Sequence, residues 1–209
     1  MKIAGRSLLG HVLARARRVR SEGIVVIATS SDPLDDAIVS LGDAEGVPVF
    51  RGALEDVGGR ALACAQAFGM RRFARICGDR PFFEPELVDR LLVLQSEKSL
   101  DLATNAAERT FPAGVTTEVV TTAALDKVLA ETDDPADREH FTRYFYRCPA
   151  GFRIENVRCE NPENRDISLV VDTAEDLSRA RFIASHYPHD VSTAPLAAII
   201  ELARAWYAR

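Results

Sequence analysis

Two aspartates stand where predicted β-strands end, and this placement suits metal binding. Asp79 directly follows the apolar run of residues 73–78, and Asp172 ends the apolar run of residues 168–172. Open α/β sheets bind their ligands at the edge formed by the carboxyl ends of the strands. Mg²⁺ prefers one or two carboxylates together with phosphate oxygens and water. Asp79 and Asp172 are therefore candidate ligands of a magnesium ion that also contacts the phosphates of a nucleotide.

Each of these aspartates also has a structural interpretation. Gly78-Asp79 is a common turn sequence, in which the carboxylate would cap a backbone N–H. Asp172 and Glu175 have the spacing of a helix capping box. If the two strand ends converge, however, the two negative charges repel each other in the absence of a cation. Taken together, the pair therefore favours metal binding.

A second group of polar side chains, Arg51, Asp56 and Arg60, occupies the connection between a predicted strand and the helix that follows it. A loop at this position would present them to the base or the ribose of a nucleotide. The structural alternative is a loop in which an aspartate caps the helix and the arginines stay solvated. The residue types leave both alternatives open.

A third group lies in the segment DREHFTRYFYR, residues 137–147, where charged side chains are mixed with aromatic ones. Guanidinium groups pair with carboxylates in a bidentate manner, so Arg138 and Arg143 are candidates for binding an acidic ligand. The alternative is an amphipathic helix with charge pairs at i,i+4. The sequence contains no GxSxG, Walker or GxGxxG motif.

The elements that position these groups alternate between strand and helix, which predicts an α/β fold with a mainly parallel sheet. Strands are predicted at residues 24–30, 47–52, 73–78, 101–105, 118–122, 152–158 and 168–172. Helices are predicted at residues 7–20, 32–44, 55–69, 85–97, 122–131, 137–147, 173–187 and 193–208. The length predicts a single domain, residues 1–209, in which residues 106–160 form an arm on the sheet.

Composition excludes several classes of protein. The 26 basic residues are outnumbered by 31 acidic ones, and a general nucleic-acid binder would show a basic excess. None of the four cysteines has the spacing of a zinc site. The sequence has neither the apolar core of a signal peptide nor an apolar run of transmembrane length. We therefore expect a cytoplasmic protein that binds neither nucleic acid nor membranes.

An ordered set of short motifs resembles the cytidylyltransferases of the spore-coat polysaccharide biosynthesis type. These are related to the N-acylneuraminate and 3-deoxy-manno-octulosonate cytidylyltransferases. The resemblance extends to about residue 187, and it rests on the segments IVVIATSSDPLDD, VPVFRGALEDVGGR, RICGDRPFFEPELVD, DREHFTRYFYR and VVDTAEDLSRAR. It implies a three-layer, Rossmann-like nucleotidyltransferase fold and a homodimer in which the arm is exchanged.

The implied reaction transfers CMP from CTP to a sugar acid, giving a CMP-sugar and pyrophosphate for surface polysaccharide biosynthesis. Mg²⁺ is the implied cofactor, and CTP and an acidic sugar are the implied partners. The resemblance places Asp79 and Asp172 at the catalytic metal. It assigns Arg51, Asp56 and Arg60 to the nucleotide pocket. The region of the acceptor sugar and the dimer arm corresponds to Glu118, Arg138, Glu139 and His140.

The N-terminal signature of this family has no counterpart in the sequence. That signature is a strand followed by a basic, glycine-containing loop that grips the triphosphate, whereas MKIAGR aligns with the segment after the loop. Losing about three charge-assisted hydrogen bonds, at roughly 1.5–3 kcal/mol each, would cost roughly 5–9 kcal/mol. The strands of residues 24–30 and 73–78 would then face an empty slot. Either the natural product begins upstream of Met1, or the sheet closes up or borrows a strand and the protein is not a competent enzyme.

Two other functions stay open at this point. One is a catalytically inactive homologue that serves as a dimerising or sugar-nucleotide-binding module, which the absent loop favours. The other is a nucleotide-sugar glycosyltransferase, which would usually carry an Asp-x-Asp motif after a strand. The segment RICGDRPFF has only one aspartate, so the second is the weaker alternative.

Overall fold

The computed structural model describes residues 1–209, which form eight strands and nine α-helices. The strands are β1 (Lys2–Ile3), β2 (Arg6–Ser7), β3 (Ile27–Ser30), β4 (Val49–Gly52), β5 (Arg72–Arg75), β6 (Leu102–Thr104), β7 (Glu118–Thr121) and β8 (Ile154–Asn156). The helices are α1 (Leu8–Ala16), α2 (Asp36–Glu45), α3 (Val57–Ala67), α4 (Pro85–Lys98), α5 (Thr122–Glu131), α6 (Pro135–Glu139), α7 (Thr142–Arg147), α8 (Ala174–His186) and α9 (Leu196–Tyr207). No helix has the length and apolar character that a membrane span requires.

The strands confirm the α/β class and form a mixed arrangement. Strands β3 and β4 are parallel, with Ile27 opposite Val49 and Ser30 opposite Gly52. Four further strands lie side by side in the order β5-β7-β6-β8. In this sheet β7 is antiparallel to both of its neighbours, whereas β6 and β8 are parallel. Strand β7 belongs to the segment 106–160, so this segment supplies an internal strand of the sheet.

A gap separates β3 from β5. Strand β3 pairs only with β4, and β5 pairs only with β7, so each has one edge without a strand partner. A cavity of about 1250 Å³ lies between them, bordered by α1 and α3. The predicted gap between residues 24–30 and 73–78 is therefore confirmed. The sheet has not closed over it and no other segment fills it, so the expectation of a closed or borrowed strand is wrong for this structure.

The two flanking strands are shorter than the sequence predicts. Of the predicted strand 24–30 only Ile27–Ser30 forms a strand, and the predicted strand 73–78 corresponds to β5, which begins one residue earlier and ends at Arg75. The missing portions are β-branched or apolar, so the local sequence does not explain the shortening. A β-strand needs a hydrogen-bonded neighbouring strand, and these portions border the gap, where no neighbouring strand is present.

Helix α1 begins as predicted, because the Ser7 hydroxyl accepts a hydrogen bond from the Gly10 N–H at 3.0 Å. A short hairpin of β1 and β2 precedes it, turning through Ala4 and Gly5 with φ angles of 45° and 82°. The sequence did not predict this hairpin. Its Ile3 side chain is fully buried and anchors the turn to the main core.

Two predicted elements differ in the structure. The predicted helix of residues 137–147 is broken at His140 and Phe141, because the buried Phe141 packs against α3 near Gly58. The predicted strand of residues 168–172 makes only an isolated bridge to Ala113. The Leu169 N–H donates to the Ala113 carbonyl, and the Val171 N–H donates to the Asp79 carbonyl. These partners belong to two separate loops, so the segment does not form a continuous strand ladder.

Helices cover both faces of the four-stranded sheet. A core of 20 buried residues joins its first face to α4, α8 and α9. A second cluster of nine buried residues joins the other face to α5 and α7. The second cluster also reaches the gap, because its Phe141 lines the cavity.

Candidate active site

Asp79 and Asp172 are brought together through the backbone. The Val171 N–H donates to the Asp79 carbonyl oxygen at 3.0 Å, which places the turn after β5 beside the residue that precedes Asp172. Asp79 is half-buried and Asp172 is exposed. Neither carboxylate accepts a hydrogen bond or joins an ion pair in the structure, although the Asp172 N–H is bonded at 3.2 Å. Both carboxylates are thus free to bind a ligand.

The structural interpretation of Asp172 as a helix cap is wrong. The capping box of α8 is formed by Thr173 and Asp176, one residue further along than predicted. Burial opposes ionisation of Asp176, but hydrogen bonds from Thr173, Arg179 and the Asp172 N–H outweigh it and lower its pKa to about 2. Because Asp172 does not cap α8, its carboxylate is available to bind a ligand. Asp79 caps no backbone N–H either, so the turn interpretation of its carboxylate is not supported.

The donor set at this edge is compatible with Mg²⁺. No group of three or more His, Cys, Asp or Glu side chains converges in the structure. A structural zinc ion needs four protein ligands, so this site does not suit one. Mg²⁺ instead uses one or two carboxylates and takes the rest of its ligands from water and substrate phosphates. Asp79 and Asp172 fit this pattern, and magnesium binding by them stays a prediction.

Arg51 and Arg60 both hold the backbone of loops near the carboxyl ends of β3 and β4. Arg51 donates to the Ser30 carbonyl at 3.0 Å and to the Asp32 carbonyl at 2.8 Å. It also pairs with Asp36 at 2.7 Å. Arg60 donates to the carbonyls of residues 53 and 54. These contacts fix the loops in place, and a contact with the base or the ribose stays a prediction.

Asp56 connects two groups of predicted residues that lie far apart in the sequence. One of its oxygens caps α3 by accepting from the Gly59 N–H at 2.8 Å. The other pairs with Arg138, 82 residues away, at 3.2 Å. Arg138 also donates to the Leu129 carbonyl at 3.0 Å. The predicted nucleotide segment and the predicted acceptor segment are therefore in direct contact.

Glu118 is buried in a polar network. One of its oxygens pairs with Arg75 at 3.0 Å, and the other accepts from the Tyr146 hydroxyl at 2.5 Å. Burial and the neighbouring Glu118 carboxylate raise the pKa of Tyr146 well above its usual range. The Tyr146 hydroxyl also contacts Thr104 at 2.9 Å. This network lies at the start of β7, next to the gap that Arg75 borders.

Sequence reasoning missed Arg75 and Tyr146. Arg75 pairs with Glu118 because β5 and β7 run antiparallel with these two residues opposite each other. Its guanidinium carbon lies 5.1 Å from the centroid of the Phe141 ring. The signal in the sequence was an arginine inside an otherwise apolar strand, where a charge needs a buried partner.

The remaining predicted residues lie on the surface of the arm. Glu139 and His140 are exposed, and their side chains make no hydrogen bonds in the structure. Arg143 does not form the i,i+4 pair that the helical alternative required. It pairs instead with the fully buried Asp137 at 2.8 Å. Burial opposes ionisation of Asp137, but Arg147, Thr132 and Arg143 outweigh it and lower its pKa.

The metal-binding candidates are linked to the Glu118 network. Arg80, which follows Asp79, donates to the Thr116 carbonyl at 2.9 Å, two residues before Glu118. The Arg75 guanidinium reaches the Thr142 hydroxyl at 3.5 Å, and so connects the network to the arm. The free aspartates are therefore connected to the Glu118 network through Arg80, and this network is connected to the arm through Arg75. Arg51 contacts none of the other candidates.

The molecule is an α/β protein with helices on both faces of a mixed sheet, and comparison with known proteins identifies the family. The family model described as Cytidylyltransferase matches residues 1–204, so the chain belongs to the cytidylyltransferase family. The resemblance predicted from the motifs is confirmed. A solved structure of a cytidylyltransferase from Leptospira borgpetersenii has a TM-score of 0.92 at 24% identity. The match covers 100% of this chain and 87% of that one, and it confirms the fold.

Two curated relatives are similar to parts of this chain. The spore coat polysaccharide biosynthesis protein SpsF of Bacillus subtilis is 31% identical over 159 residues, which is 73% of this chain and 63% of that protein. The 3-deoxy-manno-octulosonate cytidylyltransferase of Anaeromyxobacter sp. is 29% identical over 92 residues, which is 43% of this chain and 37% of that enzyme. This chain therefore spans less than two thirds of the length of either relative.

Proposed function

We propose that this protein transfers CMP from CTP to a sugar acid, releasing pyrophosphate, in the synthesis of a surface polysaccharide. The observation that carries the proposal is the pair of unbonded carboxylates, Asp79 and Asp172, at the edge where an α/β sheet binds its ligand. The family supports CTP as the donor. The two curated relatives support a sugar acid acceptor and a polysaccharide product.

In the proposed reaction an oxygen of the sugar acid attacks the α-phosphorus of CTP. A new oxygen–phosphorus bond forms, the bond to the β-phosphate oxygen breaks, and pyrophosphate leaves with the electron pair. A bound Mg²⁺ would neutralise charge on the phosphate oxygens. Asp79 and Asp172 would hold that ion. Little covalent chemistry is left for the protein, so positioning and charge neutralisation provide most of the catalysis.

The other predicted residues take positioning roles in this proposal. Arg51 and Arg60 fix the loops that border the nucleotide pocket. Asp56 holds Arg138, whose guanidinium is a bidentate partner for the carboxylate of the sugar acid. The exposed Glu139 and His140 would contact the acceptor from the arm, and a second copy of the chain would contribute its own arm in a homodimer. The Glu118 network would hold the arm against the sheet.

One observation favours the alternative of an inactive, ligand-binding homologue. The gap between β3 and β5 leaves each of these strands with one unpaired edge, so the sheet is not continuous behind the edge that would hold the nucleotide. The two functions differ in turnover but share nucleotide binding. Binding and turnover therefore have to be measured separately.

The binding experiment is thermal unfolding with CTP, UTP, ATP and GTP, each with and without Mg²⁺. A ligand present at 100 times its dissociation constant stabilises the fold by about 2.7 kcal/mol. We expect a Mg²⁺-dependent shift with CTP that is lost in the double variant Asp79→Asn, Asp172→Asn. The matched control is Asp126→Asn, an exposed aspartate on α5 that makes no hydrogen bond in the structure. A CTP shift that survives the double substitution would refute the metal site.

Turnover is measured as pyrophosphate release from CTP in the presence of acidic sugars, with neutral sugars as the control. Release that needs both CTP and an acidic sugar supports the proposal. Mg²⁺-dependent CTP binding without release from any acidic sugar would contradict it and would favour the inactive homologue. If ATP or GTP binds as tightly as CTP, the assignment of CTP as donor is wrong.

A further inference from the structure

Arg80 directly follows Asp79 in the chain and has no carboxylate partner. Its side chain is half-buried, and its one hydrogen bond runs from Nη1 to the Thr116 carbonyl at 2.9 Å. The Nε–H group is buried without an acceptor, whereas Nη2 is accessible and makes no hydrogen bond. Most of the donors of this guanidinium are therefore unused.

The unpaired charge sets Arg80 apart from the other buried and half-buried arginines. Five of these pair with a carboxylate, namely Arg6, Arg15, Arg75, Arg138 and Arg179. Arg60 is the other exception, and it donates to two carbonyls of the loop after β4. A charge that is withdrawn from water without an opposite charge is unfavourable. A ligand is the remaining source of the counter-charge for Arg80.

The turn that carries Asp79 and Arg80 is held in place by its own backbone. The Arg80 N–H donates to the Cys77 carbonyl at 3.3 Å, and the Phe83 N–H donates to the Arg80 carbonyl at 3.3 Å. The Phe83 carbonyl in turn accepts from the fully buried Arg15 at 2.5 Å. Because Thr116 also holds the guanidinium, the cation and the Asp79 carboxylate stay separate. An anion bound here would contact Arg80 directly and the carboxylate only through a cation.

A second unsatisfied group lies in the segment that Arg80 contacts. Thr117 follows Thr116 and is fully buried, yet its hydroxyl makes no hydrogen bond. Its backbone N–H is fixed by the Asn105 side chain at 2.8 Å. Native proteins leave few buried polar atoms without a partner. Here the turn after β5 and the segment before β7 each contribute one.

We propose that Arg80 binds an oxyanion of the substrate at the edge that carries Asp79 and Asp172. Two sources have this chemistry: the phosphates of the nucleotide or of pyrophosphate, and the carboxylate of the acceptor. A guanidinium donates two parallel hydrogen bonds to either of them. The inference deepens the proposed function and rests on it, because it adds one substrate contact to the same site.

The experiment measures the affinity of two anions by calorimetry, namely inorganic pyrophosphate with Mg²⁺ and 3-deoxy-manno-octulosonate. Arg80→Met removes the charge, and a charge-assisted hydrogen bond corresponds to about a ten- to hundredfold loss of affinity. Arg80→Lys keeps a point charge and should retain part of the affinity. The matched control is Arg109→Met, because Arg109 is exposed and likewise donates to one backbone carbonyl, at 3.2 Å, without an ion pair. The control should bind as the wild type does.

The source of the oxyanion follows from which affinity falls. A loss confined to pyrophosphate assigns Arg80 to the phosphates, and a loss confined to the sugar acid assigns it to the acceptor carboxylate. Both results support the proposal. Thermal unfolding without ligand separates binding from a structural role. We expect the midpoint of Arg80→Met to stay within about 4 °C of the wild type, since the substitution removes an unpaired charge.

Three results would overturn the proposal. The first is an unchanged affinity of Arg80→Met for both anions, and the second is a wild type that binds neither. The third is a loss of affinity that comes with a much lower unfolding midpoint and is not reduced in Arg80→Lys, which would show that Arg80 only holds the Thr116 segment. Arg80-dependent binding of pyrophosphate without turnover of CTP would refute only the proposed function. Turnover that is insensitive to Arg80→Met would refute only this inference.

Discussion

Replacement of Glu118 by alanine should destabilise the protein severely, because it leaves the charge of Arg75 without its partner. Glu118 is 3% exposed, and the side chain of Arg75 is 22% exposed at a distance of 3.0 Å. Removing one partner of a buried ion pair costs about 3–5 kcal/mol. The Tyr146 hydroxyl loses its carboxylate acceptor as well, so we expect a loss near the upper end of this range.

The assay is urea unfolding followed by circular dichroism. A loss of about 3–5 kcal/mol is a large share of the roughly 5–15 kcal/mol that stabilises a typical domain, so the midpoint shift will be large. Glu97→Ala is the matched control, since Glu97 is exposed on α4 and makes no ion pair in the structure. Equal unfolding free energies for the two variants, within about 0.5 kcal/mol, would refute the interpretation of the network as a buried ion pair.

A double-mutant cycle separates the pair from the isolated side chains. If Arg75→Met is combined with Glu118→Ala, no unpaired charge remains, so the double variant should be more stable than Glu118→Ala alone. The interaction energy between two residues in contact is about 0.5–3 kcal/mol. An additive cycle would show that Arg75 and Glu118 act independently, and the network would then have no role in holding β5 against β7.

Three further predictions follow from individual contacts. Thr173→Ala should cost about 1 kcal/mol in urea unfolding by removing the α8 cap, whereas Asp172→Ala should leave stability unchanged. Asp137→Asn should destabilise the protein at pH 7. The pKa of Asp137 is lowered in the folded state, so its contribution is present above its unfolded pKa and is lost as the pH falls through the folded value. The difference between wild type and variant should therefore disappear in acid unfolding. Because Asp56 pairs with Arg138, substitution of both should be non-additive in CTP affinity measured by calorimetry.

Elements set by local sequence were predictable. Helix α4 has a proline at its first position and an apolar face of helical period, and it runs from Pro85 to Lys98 as the pattern indicates. The Ser7 cap, the prolines at helix starts and the order of strands and helices likewise depend on neighbouring residues. The α/β class follows from this alternation without any knowledge of which strands pair.

Features that depend on distant residues were not predictable. The pairing of Arg75 with Glu118 requires β7 to lie antiparallel to β5, and nothing in either segment specifies that neighbour. Contact between Asp56 and Arg138 depends on how α6 packs on α3. The capping box was misplaced by one residue, because Asp172 and Thr173 are both good caps and the local pattern does not choose between them.

The gap and the candidate metal site meet in one short segment, residues 76–79. Ile76 and Cys77 border the gap without strand partners, and Asp79 follows them directly. The bond from the Val171 N–H to the Asp79 carbonyl holds the far end of this segment, and the Arg80 side chain anchors the next residue to the Thr116 carbonyl. The position of the Asp79 carboxylate therefore depends on these two contacts and not on a strand ladder.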